Sequence, residues 1–216
     1  FDAADLERLG YTIAQYAHGR VGVTVNGQGR GFDVDPANLA LDLTPPAVTS
    51  PWNYWTKRVG QPATARLTVA RQPDGMLAFN YFAGRGGGLT VKQGAVRIDH
   101  ASQILELNLP RLVIEGSTNA RINAARANDG SLDVAVRGAL FDGAPFMSAE
   151  NTADVQHVGG AAPTPPMRAS VIVDNLKLRG GATLANANVN LSLVHNALTT
   201  LVATGLSPGG KNFALA

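Results

Sequence analysis

The sequence contains no cysteine. That excludes disulfides and thiolate metal sites, and it leaves the compartment open, because periplasmic and cytosolic proteins can both lack Cys. No apolar run approaches the ~18 residues that a bilayer-crossing helix requires. Aromatic residues make up only 6% of the 216, so the apolar content falls to Val, Leu, Ile and Ala. Lys and Arg outnumber Asp and Glu by 18 to 16, with no basic run. Nucleic acid is therefore not an expected partner. His18, His100, His157 and His195 are far apart and share no motif, and no HExxH, CxxC or EF-hand spacing occurs. No metal, cofactor or catalytic residue is expected on this basis, and the chain is read as a non-enzyme. His18 falls at an expected helix end, where a cation is favourable. Asp129 and Asp133 read as turn and solvent-face residues, and no acid pair for glycoside cleavage stands out. The chain opens at Phe1 without a leader, so it reads as a segment of a longer protein whose export signal or anchor lies elsewhere.

What is present is alternation. Val21, Val23 and Val25 alternate with small or polar residues, as do Leu39, Leu41 and Leu43, Leu67 and Val69, and Leu77, Phe79 and Tyr81. The pattern continues through Leu89 and Val91, Val96 and Ile98, Leu105, Leu107 and Leu109, Leu132, Val134 and Val136, Val171 and Val173, and Val189, Leu191 and Leu193. Period two over many runs means strands with one apolar and one wet face. Spacing of about ten residues, with turns at Asp74-Gly75, Asp129-Gly130 and Gly180-Gly181, favours antiparallel meanders over βαβ units. Two stretches carry helix-start signals. Asp2 and Asp142 stand as N-caps, with Phe1 and Leu6, and Phe141 and Phe146, spaced as hydrophobic staples. The first helix is expected to reach about Leu9 and to resume over Thr12 to Ala17. The expected fold is all-β: a long, curved, mostly antiparallel sheet with two short helices. An apolar sheet face must pack on a second sheet, close into a barrel, or curl around something apolar.

The Gly-rich stretches Gly27 to Gly31 and Gly84 to Gly88 could pass for phosphate loops. Neither is followed by Lys-Ser/Thr or opens a helix, so both read as hairpin turns, with Arg30 and Arg85 able to meet phosphates only at an edge. Trp52 and Trp55 read as a plug at an end or crossing of the sheet. The Gly/Ala/Pro stretch Gly159–Pro166 is the best candidate boundary, because Pro has no N–H for a ladder.

Three passages resemble a known family. Trp55-Thr56-Lys57 with Gly60-Gln61-Pro62-Ala63-Thr64-Ala65 resembles a recurring segment of the AsmA-like envelope proteins, in particular the branch of large proteins related to YhdP and TamB. The passage SLDVAVRGALFDGAPFMS, Ser131 to Ser148, resembles that branch's strand followed by a short helix. Val171 to Leu178, with Gly180-Gly181 and Leu184, resembles its next strand pair. The similarity runs from Val21 to about Ala203, and departs from the pattern at Asn53-Tyr54 and at the long Gly84–Gly88 turn.

The resemblance implies a periplasmic protein, anchored in the bacterial inner membrane through parts outside this chain. Its sheet is expected to curl into an open half-pipe that carries phospholipid or another acyl lipid and supports outer-membrane integrity. Residues 1–158 would form one groove segment, 159–167 a loop, and 168–216 the start of the next strand group. The groove lining expected on this reading is Val21, Val23, Val25, Leu67, Val69, Phe79, Tyr81, Leu105, Leu107, Leu109, Val134, Val136, Leu191 and Leu193. Raw sheet edges are expected to invite edge-to-edge self-association. The alternative is an extracellular carbohydrate-binding, β-helix or adhesin-type module. The alternating Asn186, Asn188 and Asn190 hint at the stacked ladder of a β-helix.

Overall fold

The computed structural model describes residues 17–30, 33–50, 54–99, 103–147, 165–194 and 197–216. The protein is all-β. Its contacts divide it into two units, one reaching to Ile104 and one starting at Leu105.

The first unit contains β1 (Ala17–His18), β2 (Gly22–Arg30), β3 (Asp33–Asp42), β4 (Ala47–Thr49), β5 (Thr56–Lys57), β6 (Ala63–Arg71), β7 (Leu77–Gly86) and β8 (Leu89–Ile98). The long strands follow the order β8-β7-β6-β3-β2, every pair antiparallel, and β1, β4 and β5 form a small separate sheet. Ala17 pairs with Val48 in β1 rather than ending a helix, and His18 beside it is exposed. The helix expected over the first nine residues lies outside the described residues, as do Trp52, His100, His157 and His195.

The second unit contains β9 (Ile104–Ile114), β10 (Thr118–Arg126), β11 (Leu132–Asp142), β12 (Met167–Lys177), β13 (Thr183–Val194), β14 (Ala197–Leu206) and β15 (Asn212–Leu215), in sequential order across the sheet. All pairs are antiparallel except β11 and β12, which run parallel, Leu132 facing Met167 and Asp142 facing Lys177. A parallel pair cannot be joined by a tight turn, and the 24 positions from Gly143 to Pro166 make the crossover. This antiparallel order is not the coil of a parallel β-helix.

Three hairpins share one geometry. At Gln72, Ala127 and Ser207 the backbone N–H donates to the carbonyl four residues on (2.8, 2.8 and 2.9 Å), and the glycine three residues on donates back to the first carbonyl. Those glycines, Gly75, Gly130 and Gly210, have φ of 81, 81 and 73°. This is a type I turn closed by a left-handed residue, which glycine adopts without steric cost. The Gly27–Arg30 stretch lies in β2 rather than forming the turn, and Gly84 to Gly86 likewise belong to β7.

Within the described residues the second helix signal opens as a 3₁₀ turn. Asp142 caps as expected, its Oδ1 accepting the Ala144 N–H at 3.0 Å, and Phe141 and Phe146 stack with centroids 5.9 Å apart. The element is a single 3₁₀ turn, Ala144–Met147, with a second such turn at Arg179–Gly181. The staple therefore spans this turn, and the residues after Met147 lie outside the described ones.

Candidate functional site

Residues directly opposite in a sheet share a face, so the register assigns every side chain. In the second unit one row crosses six strands as Leu107, Ala124, Val134, Ala169, Leu191 and Leu201, and the next as Leu109, Ile122, Val136, Val171, Val189 and Ala203. A third row holds Leu112, Ala120, Gly138, Val173 and Ala187. Burial deepens along the strands: Leu107, Val134 and Leu191 are half-buried, whereas Val136, Val173 and Ala187 are buried. Close packing in the deep row rests on Gly138, where a Cβ would sit 2.3 Å from the Asn119 carbonyl oxygen. Leu105 and Leu193 extend the same face on its half-buried side. The opposite face carries Glu106, Asn108, Asn123, Asp133, Arg137, Asn188 and Asn190.

The first unit repeats the arrangement. Val23, Leu41, Ala65, Gly84 and Val91 form one row across five strands, and Ala37, Val69, Phe79 and Val96 another. Val25 and Leu67 meet through Leu39, with Val25 on the edge strand β2 and exposed. Val21 is buried just ahead of β2. Tyr81 does not join this face. It sits at a register shift between β7 and β8 with φ of 54°, and its side chain is 75% exposed. A bulge adds one residue to a strand and re-aims the side chains beside it, so Phe82, opposite Gly94, holds the position expected of Tyr81. Asn186, at φ of 50°, marks another shift and breaks the Asn alternation of β13.

The Trp55–Ala65 segment is a structural clamp. Lys57 is 2% exposed, and its Nζ donates to the carbonyls of Thr44 (3.1 Å), Pro46 (2.7 Å) and Arg58 (2.8 Å). These three bonds use all the donors of an ammonium. Burial pulls the Lys57 ammonium below the ordinary lysine value, and the Asp42 charge opposes that shift. Trp55 Nε1 donates to the Gly87 carbonyl at 2.8 Å, and a Cβ at Gly87 (φ 57°) would press on both Trp55 and Lys57. The segment therefore ties the loop after β3 to the β7–β8 turn.

A second clamp holds the parallel pair. Arg168 on β12 donates from Nε to Asp133 Oδ1 (2.6 Å) and from Nη1 to Asp129 Oδ2 (2.9 Å). Asp129 also accepts the Ser131 hydroxyl (2.5 Å) and N–H (3.0 Å). The Ser131 bonds first, then Arg168, lower its pKa from the ordinary 3.8 to about 2. A depressed carboxylate stabilises the fold above its unfolded value, and that contribution is lost as pH falls through the folded value. Thermal melts from about pH 5 to about pH 1 should show the wild type losing stability between 3.8 and about 2. Asp129→Asn should lack that component of the pH dependence. A shallow depression of about 520 Å³ lies beside this clamp on the polar face, lined in part by Asn123, Ser170, Asn190 and Thr200.

Among the described residues no group of three His, Asp or Glu could hold a metal ion, and no helix is long and apolar enough to cross a membrane. Compared with known proteins, the chain shows no significant match to a family model, to a curated protein or to a solved structure. The expected groove lining left out Val171 and Val189, which the alternation had already marked as apolar, and Ile122 and Leu201, which the register adds to the same face. It read Lys57 only as part of a motif; a buried lysine with backbone partners leaves no trace in periodicity.

Proposed function

We propose that this chain is a periplasmic segment of a bridge-like lipid transport protein, held at the bacterial inner membrane by parts outside it, that shields acyl chains along an apolar sheet face. The observation carrying this reading is the one-sided sheet of the second unit. Its apolar rows cross six strands with large residues left half-buried, and among the described residues this unit has one sheet, two 3₁₀ turns and no second layer. An acyl chain leaving a bilayer loses about 0.8 kcal/mol per CH₂. A surface of Leu, Val and Ile returns most of that without a tight site, and a charged head group is too costly to bury, so one side stays open. Nothing in this mechanism requires a catalytic residue. The resemblance of the Trp55, Phe141 and Val171 segments to AsmA-like proteins supports the same assignment.

The test is photo-crosslinking in cells from an unnatural residue at position 107, 134 or 191. Lipid adducts are expected at these positions and not at positions 123 or 190 on the opposite face. Absence of lipid adducts at all three, in folded protein, would remove the proposal.

A further inference from the structure

The polar face of the second unit carries a row of like charges. Arg121 on β10 and Arg137 on β11 are direct cross-strand partners. The β9 register slips at this point: Leu109 faces Ile122 and Leu112 faces Ala120, so Pro110 and Arg111 together oppose Arg121. Both bulge residues are exposed while Leu112 behind them is buried, which sets Arg111 on the same face as the other two arginines. All three are exposed, and no guanidinium of the three has a hydrogen-bond or ion-pair partner among the described residues.

Like charges directly opposite one another in a sheet destabilise it, so three aligned arginines cost stability unless an anion offsets them. Arg168 is the contrast. On the same face it is clamped by two aspartates, which shows what a structural arginine of this sheet looks like. Neighbouring strands lie about 4.8 Å apart, so the three guanidinium stems span roughly 10 Å of open surface. Guanidinium is suited to bidentate phosphate contact. Asn119 and Asn123 flank Arg121 along β10 and add amide donors, and the row continues from Arg137 to Ile172, an apolar side chain 40% exposed. The nearest acid on that face, Asp174, is two residues beyond Ile172 and makes no ion pair with the arginines.

We propose that Arg111, Arg121 and Arg137 form a docking surface for the phosphate headgroups of an anionic lipid bilayer. The row is exposed on an open sheet face, which suits an array of phosphates rather than one enclosed ion. No aromatic side chain stands in the row to stack on a base, which separates it from a single-strand nucleic-acid platform. The proposal concerns the face opposite the apolar rows and does not rest on the lipid-carrying reading.

The experiment is vesicle flotation of the whole chain with phosphatidylcholine alone and with about a quarter phosphatidylglycerol. Binding is expected only to the anionic vesicles and to weaken with salt. Each arginine near such a surface contributes roughly fivefold, so the combined Arg111→Gln, Arg121→Gln, Arg137→Gln variant should bind on the order of a hundredfold more weakly. A charge-matched control, Arg20→Gln with Arg66→Gln and Arg179→Gln, removes the same charge from exposed positions elsewhere and should bind nearly as the wild type. Circular dichroism confirms that both variants fold. The inference is overturned if anionic vesicles are not bound, or if the two triple variants lose binding equally. It is also overturned if millimolar inorganic phosphate displaces the vesicles, or if a single-stranded oligonucleotide binds more tightly than they do.

Discussion

Lys57→Met is expected to lower the stability of the protein by about 2–4 kcal/mol. The methionine keeps most of the buried volume, so the loss isolates the three hydrogen bonds to Thr44, Pro46 and Arg58. Removing the donor strips the buried Pro46 carbonyl of its bond, while the Thr44 and Arg58 carbonyls keep the Gly60 and Gln61 N–H groups, and a buried group left unsatisfied costs more than an average hydrogen bond contributes. Arginine should not rescue the site, because its planar guanidinium cannot occupy a pocket shaped for a compact ammonium. Urea unfolding checks this: the midpoint should fall while the slope is unchanged. An unshifted midpoint would mean that water replaces the ammonium and that the clamp is dispensable. The prediction follows from burial, since an exposed lysine making the same contacts would contribute little.

Two substitutions on adjacent rows of one face should behave differently. Val136→Asp is expected to cost about 3–5 kcal/mol, because Val136 is 3% exposed and a carboxylate there is buried without a partner. Val134→Asp, two residues away on the same face, should cost only about 1 kcal/mol, because the side chain is half-buried and the carboxylate keeps contact with water. If the face carries lipid, Val134→Asp should also reduce crosslinking to lipid from position 107 while leaving the sheet folded. Equal destabilisation by both would identify the whole face as a closed core and would contradict the lipid-carrying proposal.

These predictions separate what the chain spells out locally from what it does not. Alternation put Leu105, Leu107 and Leu109 on one side of their strand, and likewise Val134 with Val136 and Leu191 with Leu193, because side chains two residues apart point the same way in any strand. Turn chemistry placed the hairpins at Asp74-Gly75 and Asp129-Gly130, since an Asp-Gly pair closes a type I turn whichever sheet it joins. Asp142 and the Phe141–Phe146 pair announced a cap, though not that the first turn would be 3₁₀. Tertiary structure decided the rest. Tyr81 leaves the apolar face because a bulge against β8 shifts the register, and a bulge depends on the partner strand. The different depths of Val134 and Val136 come from their neighbours across six strands, not from their own residue type. The burial of Lys57 depends on carbonyls 11 and 13 residues away, and the arginine row on a slip between β9 and β10 that aligns three separate strands. Period and turn type are properties of a few adjacent residues and can be read along the chain. Register, depth and charge clustering are relations between distant strands, and they exist only once those strands have paired.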